Sequence, residues 1–162
     1  MAEQERLYLL LKQVDFFSAL SVGELELLLQ ALEKKSFRRG TIMIRQDEPG
    51  DSFYLISSGR MSVWVSSGLG KRLIAWLGPE EFFGEMALVD DSPRHATVVV
   101  DSDAEVYVLR RANFRRIFLG NPILKEKIEK AVSERSSMNI MAAGSDAGHK
   151  SWWLYRLRNL FG

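Results

Sequence analysis

Five glycines recur at intervals of nine or ten residues in the middle of the chain, and this spacing is what most constrains the fold. They are Gly40, Gly50, Gly59, Gly68 and Gly78. The runs between them are rich in β-branched and aromatic residues, which favour strands, and glycine accepts the positive φ that tight turns demand. We therefore predict short, evenly spaced strands in a small closed β architecture such as a jelly roll.

Helical patterns flank the strands on both sides. Leucines at helical spacing predict a helix over residues 3–13. Ser21 and Glu24 have the spacing of a capping box, which begins a second helix with leucines on one face at positions 25, 28, 29 and 32. After the last strands, residues 112–119 are typical of a short helix, and Asn121-Pro122 provides a cap and a first-turn proline for another.

Composition excludes several classes of function. The chain has 162 residues, a net charge of +1 and no cysteine, so its net positive charge is too small to predict DNA binding and it has no thiolate metal site. Its two histidines, His95 and His149, are too far apart in sequence to predict a ligand cluster, and we expect no metal or cofactor. The polar, acidic start and the lack of a long apolar run predict a cytoplasmic protein.

Residues 82–98 contain the side chains that most clearly indicate a binding site. They read FFGEMALVDDSPRHATV, which places Gly84, Glu85 and Arg94 in one turn-rich segment between two strand-like runs. A carboxylate accepts hydrogen bonds from sugar hydroxyls, and the guanidinium fork of arginine suits phosphate oxygens. The segment therefore predicts a pocket for one small sugar phosphate. No nucleophile with a base, metal cluster or triphosphate loop points to catalysis, so we expect no enzyme.

This segment resembles the phosphate-binding cassette of cyclic nucleotide-binding domains, and residues 50–59, GDSFYLISSG, resemble a second signature of that family. The resemblance implies an α+β fold, an eight-stranded antiparallel β-roll (jelly roll) with N-terminal helices and two C-terminal closing helices. It predicts a domain over residues 1–138, with a helical start at 3–34, the roll at 35–110 and closing helices at 112–138.

The resemblance also implies a role for each residue of the site. Arg94 would hold the cyclic phosphate and Glu85 the ribose 2′-hydroxyl, while Gly84 lets the backbone approach the sugar. Met86 and Ala87 would open a short helix whose free N–H groups face the anion, and Ala96 would bring its own N–H to the phosphate. Walls for the purine are expected from the roll, chiefly Val63 and Ile74, with Val65 and Trp76 as further candidates.

The identity of the base stays open between adenine and guanine, hence between cAMP and cGMP as ligand. In the family, the residue after the arginine often distinguishes them, with threonine associated with cGMP and alanine or serine with cAMP. Here it is His95, outside that rule. Its imidazole could donate to the phosphate, touch the purine or point to solvent; only the first would raise affinity at mildly acidic pH.

The C-terminal segment matches nothing in the family pattern. Residues 139–150 have the composition of a flexible linker, and residues 151–162 predict a helix rich in tryptophan and basic residues. That helix could bind a partner, lie on a membrane surface, or fold back over the domain as packing or as a lid. Its three basic residues give only a weak attraction to a membrane. Lid candidates also include the helix after Pro122 and the side chains of Met138, Ile140 and Met141.

Our first interpretation is a stand-alone cyclic nucleotide receptor that signals through a partner protein or as a homodimer through the C-terminal helices, without binding DNA. The alternatives are a sensor fragment of a larger channel or transporter, and a ligand-independent interaction module. A pocket for a cyclic dinucleotide is disfavoured because the sequence lacks an arginine-rich surface.

Overall fold

The computed structural model describes residues 2–13, 17, 20–88, 94, 96–118, 122 and 126. Two helices come first, α1 (Ala2–Lys12) and α2 (Val22–Ala31). Six strands follow: β1 (Glu33–Phe37), β2 (Ile42–Ile44), β3 (Ser52–Ser67), β4 (Gly70–Leu77), β5 (Phe82–Phe83) and β6 (Thr97–Arg110). A single 3₁₀ turn (Glu85–Leu88) precedes β6, and α3 (Arg111–Phe118) comes after it. None of these helices has the length and hydropathy of a transmembrane segment.

All strand pairs of the described residues are antiparallel. The main path runs β1-β6-β3-β4, with β2 also paired to β6 and β5 to β3. The two long strands, β3 and β6, pair with each other from Ser52–Arg110 to Trp64–Thr97. The segment predicted to bind a sugar phosphate lies between β5 and β6. Because both strands belong to the same sheet, the segment is anchored in it at both ends.

The resemblance implies eight strands, whereas the described residues form six. Strands β3 and β6 each continue through two of the strand-like runs of the sequence. The run at 53–56 and the run at 61–65 belong to β3, and the runs at 97–100 and 105–109 belong to β6. The register between the two strands shifts at three places between Ile56 and Met61. Each long strand is thus irregular where the sequence suggests a break, but its pairing is not interrupted.

Two apolar clusters form the core. One joins the helices to the sheet, with Leu11, Phe17, Leu25 and Leu28 packed on Phe53 and neighbours. The other lies within the sheet and includes Met61, Val63, Phe83, Ala96 and Val98. The first cluster fixes the helices on the sheet, and the second supports the segment between β5 and β6.

The predicted helical start is confirmed in detail. The hydroxyl of Ser21 accepts from the N–H of Glu24 at 3.2 Å, and the Glu24 carboxylate accepts from the N–H of Ser21 at 3.3 Å. Leu25 and Leu28 are buried, as the leucine spacing predicts. The short helix predicted at 112–119 is observed as α3. The helix predicted from Asn121 lies outside the described residues except for Pro122 and Glu126, which are helical.

Strand β1 was not expected, since the helical start was predicted to reach residue 34. Its sequence, EKKSF, has little apolar character, and its residues are exposed or half-buried along the sheet edge. The strand is held by polar contacts: Lys34 Nζ lies 3.1 Å from Glu3 and 3.4 Å from Glu105, and Tyr107 donates to Glu3. The Tyr107 hydroxyl and Lys34 lower the pKa of Glu3, and Glu3 in turn raises the pKa of Lys34 to about 12. These contacts also tie α1 to the sheet.

Gly59 lies in β3 with φ +92°, and a Cβ there would be 2.6 Å from both Cα and Cβ of Ala104 and 2.7 Å from the Asp103 carbonyl. Gly59→Ala is therefore expected to destabilise the fold by about 2–4 kcal/mol, through backbone strain and overpacking together. Gly70→Ala, at φ +107° in open space, should cost only the strain, and Gly68→Ala should be near neutral. Urea denaturation of the three variants measures this. Equal midpoints for Gly59→Ala and Gly70→Ala would contradict the packing argument.

Candidate functional site

The segment between β5 and β6 begins with a glycine whose geometry admits no side chain. Gly84 has φ +80°, and a Cβ on it would lie 2.7 Å from the carbonyl oxygen of Ser52 and 3.5 Å from Cδ2 of Tyr54. The chain therefore passes directly over the start of β3, and any larger residue would push it outward. This close approach fixes the position of the turn that follows.

The turn is a 3₁₀ helix of four residues, Glu85–Leu88. The N–H of Ala87 donates to the carbonyl of Gly84 at 3.0 Å, and the side chains of Ala87 and Leu88 are buried. We expected the N–H of Ala87 to be free to face an anion; instead it closes the turn. Glu85 and Met86 are in the turn by their backbone, while their side chains lie outside what the structure describes.

Arg94 is the only charged side chain that is buried among the described residues, with 2% of it exposed. Arginine is almost never this buried without a structural or functional reason, because its charge loses hydration. Its backbone is fixed from two sides: its N–H donates to the carbonyl of Glu48 at 2.9 Å, and its carbonyl accepts from the N–H of Asp47 at 2.6 Å. Asp47 adopts a left-handed conformation, φ 69°, at this contact. The fold thus holds the arginine at a defined place.

Gly50 forms the surface against which the Arg94 side chain rests. A Cβ on Gly50 would lie 1.9 Å from Nη2, 2.0 Å from Nε and 2.2 Å from Cζ of Arg94. These distances are far inside van der Waals contact, so the guanidinium occupies the space that a side chain at residue 50 would need. The absent side chain at this glycine is therefore what admits the buried guanidinium.

The start of β3 brings the arginine and the glycine turn to one region. Gly84 approaches the carbonyl of Ser52, and the Arg94 side chain lies against Gly50, only two residues earlier in the chain. The ring of Tyr54 stacks on Phe83 with centroids 4.9 Å apart, next to Gly84. Burial raises the pKa of the Tyr54 hydroxyl above its usual value, and a hydrogen bond with Ser52 offsets only part of this rise.

The predicted purine walls divide between the two faces of the sheet. Val63 and Ala96 are fully buried in the same apolar cluster, and Ile74 and Val65 pack against it. Trp76 pairs with Ser62, one position away, so it faces the other side, where it is 45% exposed and stacks on Arg60 at 4.3 Å. Val63, Ile74 and Ala96 therefore share a face near the turn, and Trp76 is excluded from it.

Other predicted site residues lie outside the described residues. These are His95, the candidate lid residues 138–141 and the C-terminal segment 151–162. Among the residues that are described, no group of three or more histidine or acidic side chains is arranged to hold a metal ion.

Sequence reasoning missed the residues that position Arg94. Residues 47 and 48 hold its backbone, and Gly50 makes room for its side chain. A signal for Gly50 was available, since it is part of the second signature at 50–59. That signature predicts a turn and a strand, but its packing against Arg94, 44 residues later in the chain, is not readable from spacing.

Comparison with known proteins identifies the family to which this fold belongs. Residues 34–121 match the family model described as the cyclic nucleotide-binding domain. This span is more than half of the chain, and the chain therefore belongs to the cyclic nucleotide-binding domain family.

Individual relatives include regulatory and channel proteins. A cAMP-dependent protein kinase regulatory subunit of Dictyostelium discoideum is 33% identical over 83% of the chain and 42% of its own length. A potassium channel protein of Rhodopseudomonas palustris is 30% identical over 79% of the chain and 31% of its own length. The chain thus spans less than half the length of these relatives. The regulatory domain of Toxoplasma gondii PKA, solved with cAMP, is 26% identical with a TM-score of 0.69, covering 90% of the chain and 55% of that structure.

Proposed function

We propose that this chain is a cyclic nucleotide receptor whose ligand is held between the turn at Gly84 and the guanidinium of Arg94. The observation that carries the proposal is the buried Arg94, fixed by residues 47 and 48 and seated against Gly50. A cyclic phosphate has two free oxygens and one negative charge, which match the bidentate fork of arginine. A cation already withdrawn from bulk water binds such an anion more strongly than an exposed one would.

The remaining residues of the segment contact the ribose and the phosphate of the nucleotide. Glu85 accepts from the ribose 2′-hydroxyl, which also disfavours a deoxyribose analogue, and Gly84 lets the sugar approach the backbone. Ala96 offers its N–H to the phosphate from a position where only a small side chain fits. Ala87 closes the turn that carries Glu85 and Met86, a role supported by its hydrogen bond to Gly84.

The purine rests on the face of the sheet that carries Val63 and Ile74. Ile74 is half-buried and packs against the cluster that contains the fully buried Val63 and Ala96, which supports this placement. His95 follows the phosphate-binding arginine in sequence. Measuring nucleotide affinity as a function of pH tests whether its imidazole contacts the phosphate rather than the purine or solvent.

We infer that cAMP is the better first ligand to test, rather than cGMP. The support is the printed names of the relatives, a cAMP-dependent kinase regulatory subunit and a PKA regulatory domain solved with cAMP. Sequence identities of 33% and 26% do not carry base preference to this chain by themselves, so the two nucleotides belong in the same experiment.

The output of the receptor is regulatory rather than catalytic in this proposal. The relatives named as regulatory subunits support this. Residues 1–138 form the sensor, with a closing helix after Pro122, and residues 139–150 link it to a C-terminal helix. A cytoplasmic partner protein, or a second copy of the chain, reads the change on binding.

A second candidate is that the chain acts as the sensor part of a channel. Its support is the potassium channel protein of Rhodopseudomonas palustris, of which the chain matches 31%. The length of the native reading frame distinguishes this from a stand-alone receptor. A constitutive interaction module with an empty pocket is the third candidate, and only a ligand measurement separates it from the first two.

Calorimetric titration of ligand-stripped protein with cAMP, cGMP and 5′-AMP side by side tests the proposal. We expect saturable one-to-one binding of a cyclic nucleotide at micromolar concentration or below, and much weaker binding of 5′-AMP, whose open, doubly charged phosphate does not match the site. The ratio of the two cyclic nucleotides gives the base preference. No heat of binding with either one would contradict the receptor and favour the interaction module.

A further inference from the structure

A wide groove on the described surface lies away from Arg94, between the two N-terminal helices and the sheet edge. Its volume is about 880 Å³. Its apolar floor comes from α1 and α2, and 60% of Leu9 is exposed there, far more than is usual for a core-facing leucine. The residues that make the apolar floor are Leu7, Tyr8, Leu9 and Leu29.

The rim of this groove is acidic. Glu3, Glu5 and Glu26 line it, with Lys34 as the one basic residue among the lining side chains. Lys34 is already engaged by Glu3 and by Glu105, at 3.1 and 3.4 Å. Within the described residues, Glu5 and Glu26 form no ion pair. The groove therefore suits an occupant that is apolar on one side and basic at its edges.

The C-terminal segment of this chain has that chemistry. Residues 150–161 contain three basic residues, and four of their apolar residues fall at helical spacing, at positions 153, 157, 160 and 161. We propose that this segment binds in the groove between α1 and α2 of its own chain. The apolar side meets the leucine floor, while Lys150, Arg156 and Arg158 meet the carboxylates of the rim. A helix of this length, about 18 Å, matches the 11 residues of α1 beside which it lies.

The predicted linker is long enough for this docking. Helix α3 contacts α2, which forms one wall of the groove. The linker predicted from composition contributes residues 139–149 before Lys150. A chain of that length spans about 18 Å on average and about 36 Å when extended. The extended length exceeds the roughly 28 Å diameter of a domain with a radius of gyration of about 14 Å, so the linker allows the segment to return to the surface of its own domain.

The docked segment would occupy the surface that an external helix would otherwise bind. A partner that recognises α1 and α2 must then displace the segment, so docking lowers the apparent affinity of such a partner. This inference does not depend on nucleotide binding, because none of the groove residues belongs to the segment between β5 and β6.

Disulfide trapping tests the proposal cleanly, since the chain has no cysteine. Leu157→Cys is paired with Leu9→Cys in the groove, or with Leu69→Cys in the exposed turn between β3 and β4 as the matched control. At low protein concentration and under mild oxidation, we expect the intramolecular disulfide to form at least about tenfold faster with residue 9 than with residue 69. Docking raises the effective concentration of one thiol at the other only at the groove.

A charge swap tests the acidic rim separately. Glu5→Lys with Glu26→Lys should slow trapping between residues 9 and 157 several-fold, and adding Arg156→Glu with Arg158→Glu should restore it. Equal trapping at residues 9 and 69 would overturn the proposal. A covalent dimer as the main product would overturn it as well, because the segment would then occupy the groove of a second copy.

Discussion

Arg94→Ala is expected to weaken the binding of cAMP by at least about tenfold, and by about 150-fold if the pair is worth the full 3 kcal/mol of a charge-assisted hydrogen bond. The reason is that Arg94 is the buried cation of the proposed site, so its loss leaves the phosphate without its charged partner. Arg94→Lys keeps the charge but loses the planar fork, and its affinity should fall between those of the wild type and Arg94→Ala. Calorimetry measures all three.

Arg60→Ala is the matched control for this series. It removes the same charge from an exposed position, where Arg60 pairs with Asp101 at 2.9 Å and stacks on Trp76 on the other face of the sheet. We expect its affinity for cAMP to equal that of the wild type. If Arg60→Ala weakened binding as much as Arg94→Ala, net charge rather than a phosphate contact would explain both. Unchanged affinity in Arg94→Lys and Arg94→Ala would exclude Arg94 from the site.

Gly50→Ala is expected to weaken cAMP binding by about 10- to 100-fold with little change in stability. Its Cβ would lie 1.9–2.2 Å from three atoms of the Arg94 side chain, so the guanidinium must leave its seat. The clash involves the far end of a flexible side chain, and the backbone of Gly50 is not in the left-handed region, so the fold should adjust at small cost. The guanidinium, however, would no longer present its fork to the phosphate.

Gly23→Ala and Gly78→Ala are the controls for that variant, since both glycines have open space around the added Cβ and no positive φ. Thermal unfolding and titration are measured on the same preparations. Loss of cAMP affinity in Gly50→Ala, with a melting temperature close to that of the wild type, would support the claim that the Arg94 guanidinium must lie against Gly50 to bind the ligand. Wild-type affinity in Gly50→Ala would mean that Arg94 can move without consequence, and that its position is not part of the site.

The parts of the fold that could be predicted are those set by local chemistry. The capping box at Ser21 needs only a hydroxyl and a carboxylate three residues apart, and the sequence contains both. The positive φ of Gly84 is likewise a conformation that glycine adopts locally. The reason why no larger residue fits there is not local: a Cβ on Gly84 would lie 2.7 Å from the carbonyl oxygen of Ser52, at the start of a strand distant in sequence.

The parts that could not be predicted depend on distant contacts. Strand β1 forms because its backbone pairs with β6 and Lys34 meets Glu3 and Glu105, not because EKKSF favours a strand. The merging of predicted strands into β3 and β6 follows from their mutual pairing, which continues past the irregular stretch at Gly59. For the site, residue types predict that Arg94 and Gly84 belong to it. The contact between the Arg94 side chain and Gly50, in contrast, is visible only in the folded chain.

A crystal structure of the chain with cAMP would show directly whether Arg94 holds the phosphate. We expect a phosphate oxygen at about 2.7–2.9 Å from the guanidinium of Arg94, the charge-assisted distance, with the ribose over Gly84 and the purine toward Val63 and Ile74. Nucleotide density in the groove between α1 and α2, or a phosphate that contacts another cation while Arg94 stays buried against Gly50, would contradict this expectation.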